Sequence, residues 1–264
     1  MLPITKAHAY GNDFLYLDEA AAVGTPDLAR AVCDRHTGIG ADGLIVYRAT
    51  TRGAAMRLFN ADGSYSEVSG NGVRGLAAVL AEDRPEIAER GVVVVGTDAG
   101  EKTLTLLGRE GRRWIFRAAM GTPESVGERQ LDVGGERLRV ATLRVGNPQC
   151  VRIESPLSEE RMRRLGSLLE HHDAFPEGTN VEFASVEAPG RVRILIWERG
   201  VGPTLASGTG ACAAAVAAAS YGGADRDVEV ISPGGSQRVE WRPDGLYLTG
   251  WAEVVLRGHG LGEG

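Results

Sequence analysis

Two short stretches of this 264-residue chain carry the same chemistry-bearing pattern. Ser69-Gly70-Asn71-Gly72 and Ser207-Gly208-Thr209-Gly210 each set a serine before a glycine turn. Each turn then runs into small residues that should form a tightly packed helix. Such a turn directs several backbone N–H groups outward at a helix N-terminus, where the macrodipole is positive. That arrangement suits an anion, typically a carboxylate or phosphate. A single turn of this kind most often does no more than start a buried helix; it is the second copy that gives the pattern weight. Around the two turns, at predicted strand ends and glycine turns, fall Asn12, Asn60, Asn71, Asn147, Asn180, Glu198, Arg199 and Thr209. Arginine binds a carboxylate bidentately, and asparagine both donates and accepts. Taken singly, each asparagine is first of all a turn former. Taken jointly, the set matches a ligand that carries both carboxylate and ammonium groups, an amino acid.

The elements that must position these residues read as one plan written twice. The two serines lie 138 residues apart, and the same offset links Asn60 to Glu198 and Asp42 to Asn180. Gly11-Asn12 lies 135 residues before Gly146-Asn147. The helical stretch from Asp27 to His36 has a counterpart in Ser158 to His172. A repeat this long is a duplicated domain rather than a solenoid unit. Two such copies would present equivalent polar residues to a ligand from opposite sides, at the kind of domain interface where small molecules bind.

In chain order, strands are expected over 4–10, 14–18, 44–47, 55–59 and 92–95. A hairpin is expected over 102–107 and 113–119. An amphipathic helix fits 26–36, and the first small-residue helix follows Ser69. Residues 120–123 read as a crossover and Gly127 to Gly135 as a polar surface loop. The second half repeats the pattern. A strand over 139–145 ends in a turn at Gly146-Asn147-Pro148-Gln149. A capped helix follows over 158–172, then strands at 182–183 and 191–197, the Ser207 helix, and strands at 228–231, 238–241, 246–250 and 252–257. The expected class is α+β, with two pseudo-symmetric domains from an internal duplication, each a mixed sheet wrapped around a central helix. The expected domains are 1–118, with a C-terminal strand at about 252–264 returning to it, and 119–251. Gly200-Val-Gly-Pro-Thr-Leu lacks the spacing and the strand–helix context of a dinucleotide-binding fold.

Composition narrows the function classes. Hydrophobic residues at 43% and charged residues at 24% are ordinary for a soluble globular protein. A net charge of −6 and scattered arginines argue against a nucleic-acid partner. No apolar run approaches the ~20 residues of a membrane span, and no leader peptide is evident. Cys33, Cys150 and Cys212 are odd in number and lack metal-type spacing, so a reducing cytoplasm is expected. Adjacent His171 and His172 on one helix point different ways, which argues for a solvated helix end rather than a metal site.

Eight motifs, spread in order over nearly the whole chain, resemble those of the diaminopimelate epimerase family. They are Gly11-Asn-Asp-Phe14, Gly40-Ala-Asp-Gly43, Phe59-Asn-Ala-Asp-Gly63, Gly70-Asn-Gly-Val-Arg74, Gly146-Asn-Pro148, Gly178-Thr-Asn-Val181, Glu198-Arg-Gly-Val-Gly202 and Gly208-Thr-Gly-Ala-Cys212. The resemblance implies a cofactor-independent isomerase with neither PLP nor metal, commonly a homodimer. It would invert the α-carbon of LL-diaminopimelate to give the meso form, a step of lysine and peptidoglycan biosynthesis. It also implies that Asn12, Asn60, Asn147, Asn180 and Arg199 hold the substrate. Gly70-Asn71 and Gly208-Thr209 would bind the α-carboxylate, and Gln149 and Glu198 would tune the site.

In that family one cysteine thiolate removes the α-proton and a second thiol returns one to the opposite face. Helix N-termini favour the thiolate and stabilise charge developing on the carboxylate. Here both positions are serine, Ser69 and Ser207. A hydroxyl is a far weaker acid than a thiol, whose ordinary pKa is about 8.5, and neither motif contains a lysine or histidine to activate it. Gln149 stands where histidine is usual, Pro203 where glutamate is usual, and Gly75 where cysteine is frequent. A designed exchange of the two cysteines would leave those three departures unexplained, so natural divergence is the favoured account. Two readings of function follow: an epimerase of this type, and a homologue that binds an amino acid without epimerising it. A dehydratase on the same scaffold ranks third, because such relatives are expected to keep one thiol base.

Overall fold

The computed structural model describes residues 1–260; the end of the strand expected over about 252–264 lies outside the described residues. The chain forms two compact units, Met1–Ala118 together with the chain from Gly250, and Ala119–Thr249.

The first unit contains β1 (Leu2–Ala9), β2 (Asn12–Asp18), α1 (Pro26–Cys33), β3 (Gly43–Thr50), β4 (Gly53–Asn60), β5 (Tyr65–Ser66), α2 (Gly70–Asp83), α3 (Pro85–Arg90), β6 (Val92–Thr97), β7 (Gly100–Glu110) and most of β8 (Arg113–Gly121). β1 and β2 pair antiparallel, as do β3 and β4, β6 and β7, and β7 and β8. The pairs β2–β3 and β4–β6 are parallel. A parallel pair needs a crossover connection, and that is where the helices sit: α1 joins β2 to β3, and α2 with α3 joins β4 to β6. The chain's last strand pairs with both β1 and β8 and closes the ring. Thr25 caps α1 by accepting from Leu28 N at 3.1 Å, and Pro26 opens the helix with the φ it already prefers. α2 is buried from Asn71 to Ala81 and packs on β1, β2, β6 and β7. Its glycines and alanines let the strands approach closely all round it.

The second unit runs through β9 (Glu124–Val133), β10 (Glu136–Val145), β11 (Asn147–Ile153), α4 (Glu159–Glu170), β12 (Asn180–Ala188), β13 (Arg191–Glu198), β14 (Gly202–Thr204), α5 (Gly208–Ala217), β15 (Asp227–Ser232), β16 (Gly235–Arg242) and the first part of β17 (Gly245–Gly260). Parallel pairs β11–β12 and β13–β15 are again spanned by helices, α4 and α5. Antiparallel pairs join β9 to β10, β10 to β11, β12 to β13, β15 to β16 and β16 to β17. α5 is apolar on every side, as a helix wholly inside a core must be. It packs on β10, β11, β12, β13, β15 and β16, with Ala213 to Ala218 nearly all inaccessible.

With seventeen strands and five α-helices among the described residues, the protein is mostly β, and the α+β expectation gives the helices too much weight. Three local expectations also change. The stretch from Gly127 to Gly135 is not a surface loop: most of it belongs to β9, which buries Leu131 and Val133 and pairs with β10. Its polar residues are the outward face of a hairpin closed by Gly134 and Gly135, both at positive φ. Asn147, Pro148 and Gln149 are not a turn but the start of β11. The strands expected over 246–250 and 252–257 are one sixteen-residue strand, β17.

Candidate active site

Each unit builds one serine turn. Ser69 is the N-cap of α2, and its Oγ accepts from Gly72 N at 3.1 Å. Ser207 is the N-cap of α5, and its Oγ accepts from Gly210 N at 3.2 Å. Both serines are extended in backbone, with φ near −128° and −137°, as an N-cap requires. Space lies open in front of the first turn: nothing comes within 4 Å of where a Cβ on Gly70 would stand.

In the first unit the turn is tied to a charged network. Asn71 Nδ2 donates to Asn12 Oδ1 at 3.3 Å, and the buried Arg74 donates to Asn71 Oδ1 at 3.1 Å. Asn12 Nδ2 in turn donates to Asp42 at 2.7 Å. Arg35 forks between Asp42 and Asp13, each at 2.7 Å, while Lys6 reaches Asp13 at 2.8 Å. Burial alone would push the Asp13 carboxyl up, but hydrogen bonds from Arg35 and Lys6 hold it down to about 2. Fixed charges thus orient Asn12 and Asn71. Asn60 stands apart from this chain. It ends β4, bonds Ser64 Oγ at 2.9 Å, and pairs with Gly43 across the β3–β4 ladder. Gly75 has a local cause: a Cβ there would lie 2.0 Å from the hydroxyl of Tyr16, which donates to Gly72 O.

In the second unit the surroundings are buried carboxyls. Glu182 on β12 is wholly inaccessible, and Glu198 ends β13. Burial pushes Glu182 well above the ordinary carboxyl range, and the neighbouring Glu198 charge pushes it further. Glu198 is also raised by burial, a rise moderated by Thr204, whose hydroxyl donates to it at 2.6 Å. The Gln149 side chain lies between Glu182 and the turn. One end of its amide is 3.0 and 3.2 Å from the two Glu182 oxygens, and the other is 3.2 Å from Thr209 Oγ1. That second end also meets Asn147 Oδ1 at 2.5 Å. Thr209 Oγ1 is 3.5 Å from Ser207 Oγ.

Ser207, Thr209, Gln149 and Asn147 therefore form one continuous polar group. Asn180 makes a second: it donates to Pro148 O at 3.3 Å and accepts from Arg199 N at 3.0 Å. The Arg199 guanidinium does not join either group; it donates to Glu177 O at 2.8 Å. Nothing around Pro203, which sits in β14 opposite Trp197, explains its identity. Sequence reasoning passed over Glu182, Lys6 and Arg35, and gave Arg74 and Asp13 no role beyond their place in the family motifs. The signal for Glu182 was a lone carboxylate inside the apolar run Val181-Glu-Phe-Ala184, where burying a charge is costly without a partner.

Solved structures show the fold first. A predicted epimerase from Pseudomonas aeruginosa superposes with a TM-score of 0.72 at 17% identity, covering 100% of each chain. A probable proline racemase from Agrobacterium radiobacter K84 gives 0.71 at 16% identity, covering 98% of this chain and 92% of its own. The sequence then sets the family. Residues 4–126 and 141–255 match the family described as diaminopimelate epimerase. The diaminopimelate epimerase of Synechococcus elongatus is 39% identical over 272 residues, 97% of each chain. That of Desulforudis audaxviator is 40% identical over 283 residues, 97% of this chain and 98% of its own. The chain belongs to the diaminopimelate epimerase family, a family of isomerases.

Proposed function

We propose that this protein is a cofactor-independent amino-acid epimerase of the diaminopimelate type, with Ser69 and Ser207 at the positions of the two acid–base residues. The observation that carries the reading is the pair of serine-capped helix starts in a chain matched to the family along nearly its whole length. Inversion needs two groups because the proton leaves one face of the α-carbon and arrives at the other. Gly70-Asn71 and Gly208-Thr209 supply helix N–H groups to the substrate α-carboxylate. Asn12, Asn60, Asn147, Asn180 and Arg199 hold the remaining polar groups, and Gln149 and Glu198 tune the second turn. The two units descend from one duplicated domain, in keeping with the matched order of their pairings. The enzyme works in the cytoplasm as a homodimer.

Chemistry makes the serines the weak point. Each Oγ accepts a helix N–H, which favours negative charge on oxygen, but the hydroxyl remains far less acidic than a thiol. This favours a second reading, a homologue that binds a diaminopimelate-like amino acid without turning it over. Incubation with LL-diaminopimelate in deuterated water separates the two. An epimerase washes deuterium into Cα. Calorimetric binding with no exchange, beside an active cysteine-containing relative, would leave only the second reading.

A further inference from the structure

The second serine turn has a partner that the family motifs do not include. Glu182 sits two residues beyond Asn180 on β12, and its side chain presses on the turn from behind. Its Oε1 is 2.5 Å from where a Cβ on Gly210 would stand, so only glycine fits at that position of α5. The Gln149 side-chain amide, itself 1% exposed, lies against its carboxyl. We propose that Glu182 is a positioning residue for Ser207. Through the Gln149 amide and the Thr209 hydroxyl, it sets whether the Ser207 hydroxyl is presented as a hydrogen-bond donor or as an acceptor.

The geometry admits two self-consistent states, because an amide has a donor end and an acceptor end. In the first, the Glu182 carboxyl carries its proton and donates to Gln149 Oε1. Gln149 Nε2 then faces Asn147 Oδ1 and Thr209 Oγ1, both acceptors. The Thr209 proton is free to point at Ser207 Oγ, which already accepts from Gly210 N, so the Ser207 proton is directed away from the turn, toward a ligand. In the second state Glu182 is ionised and takes both amide N–H groups of a turned Gln149. Thr209 then donates to Gln149 Oε1 and accepts from Ser207, whose lone pair now faces outward. The 2.5 Å approach of Asn147 Oδ1 means that the Asn147 carboxamide must turn as well. As placed, the Gln149 amide oxygen faces both Glu182 oxygens, so the first state holds only while Glu182 carries its proton, and the second follows when the amide turns. Among the described residues, the groups that face Glu182 include Gln149 and Cys150 on β11, Glu198 on β13 and Gly210 on α5, none of them cationic. None of these opposes the neutral form. One proton on Glu182 therefore selects between an acid-like and a base-like Ser207, the two roles that a residue in a reversible epimerase exchanges.

The inference rests on the epimerase reading for its catalytic meaning, but its core is testable without turnover. In ¹⁵N-labelled full-length protein the Gln149 side-chain amide, assigned by its loss in Gln149→Met, is followed across pH. We expect one titration, above the ordinary carboxylate range, that disappears in Glu182→Gln. An amide that does not titrate, or that titrates equally in Glu182→Gln, overturns the proposal. The catalytic arm measures Cα deuterium exchange in the Ser69→Cys, Ser207→Cys protein with and without Glu182→Gln. The expected result is at least a tenfold fall in kcat with KM nearly unchanged and with its pH profile shifted. An unchanged kcat and profile overturn it. Should Glu182→Gln fail to fold, Gln149→Met breaks the same link from the other side and should lower kcat likewise. If the amide titrates with Glu182 while no form exchanges deuterium, the epimerase reading falls and the positioning role stands.

Discussion

At the turn of the first unit, Gly72 faces the Cδ1 methyl of Ile45, 2.7 Å from where its Cβ would stand; at the turn of the second, Gly210 faces the carboxyl of Glu182. Both serines cap their helices in the same way, at 3.1 and 3.2 Å. Behind that shared backbone the support differs in kind. The first turn rests on apolar side chains and on permanent charges: Arg74 on Asn71, and Arg35 and Lys6 on Asp13. The second rests on two carboxyls raised by burial and on an amide that can face either way. One turn has a fixed electrostatic setting. The other depends on where one proton resides.

The largest effect that tests this comparison is on rate. Joining Ser69→Cys to Ser207→Cys should raise Cα deuterium exchange by about 10²-fold or more, the lower end of what a positioned acid–base group supplies. Either single exchange should restore little inversion, read as conversion of LL- to meso-diaminopimelate, because inversion needs both faces. A single exchange as active as the pair would sink the two-base reading. Next in size is packing. Gly210→Ala meets a buried, hydrogen-bonded carboxyl oxygen and should cost about 1–3 kcal/mol in denaturant unfolding. Gly72→Ala meets a methyl that can swing aside, so its cost should be under about 1 kcal/mol. Equal costs would mean that the two turns are backed alike.

A pH test sharpens the fixed-charge side. The Asp13 carboxyl is held down to about 2, against an ordinary 3.8. A depressed pKa stabilises the fold above the ordinary value, and that contribution is lost as pH falls toward the folded one. Asp13→Asn should therefore lose about 1–2 kcal/mol near pH 6, after allowance for the solvent around Arg35. The gap to wild type should close as pH falls from about 4 toward 2; a gap that persists there would assign the loss to packing instead. The smallest effect should be shared. Ser69→Ala and Ser207→Ala each remove one helix cap and should each cost about 1 kcal/mol in thermal or denaturant unfolding. A clear inequality would show that one of the hydroxyls does more than cap.

Much of the scaffold is readable in the chain itself. The Ser-Gly-x-Gly starts, the small-residue runs after them, Thr25-Pro26 before α1 and Ser158 before α4 all lie where local capping chemistry places a helix. Local chemistry fails where burial and pairing decide. The polar stretch from Gly127 to Gly135 looks like a loop because only one face of β9 is buried, and Leu131 and Val133 carry that face almost alone. Pro148 reads as a turn residue, yet it sits in β11 opposite Arg144. The family motifs contain Asn12, Asn71, Arg74 and Asp42 but not their pairing: Arg74 orients Asn71 from 3 residues away in sequence and Asp42 orients Asn12 from 30.

The sequence by itself determined the family, the two helix starts and the serines that cap them. These are matters of residue type at fixed spacing, and capping needs only neighbours three residues apart. Tertiary structure alone decided what stands behind each turn. Glu182, Gln149 and Thr209 meet only because β11 and β12 pair in parallel beneath the start of α5. A carboxyl titrates high only when folding has removed its water and brought no cation in exchange. No local pattern records either event.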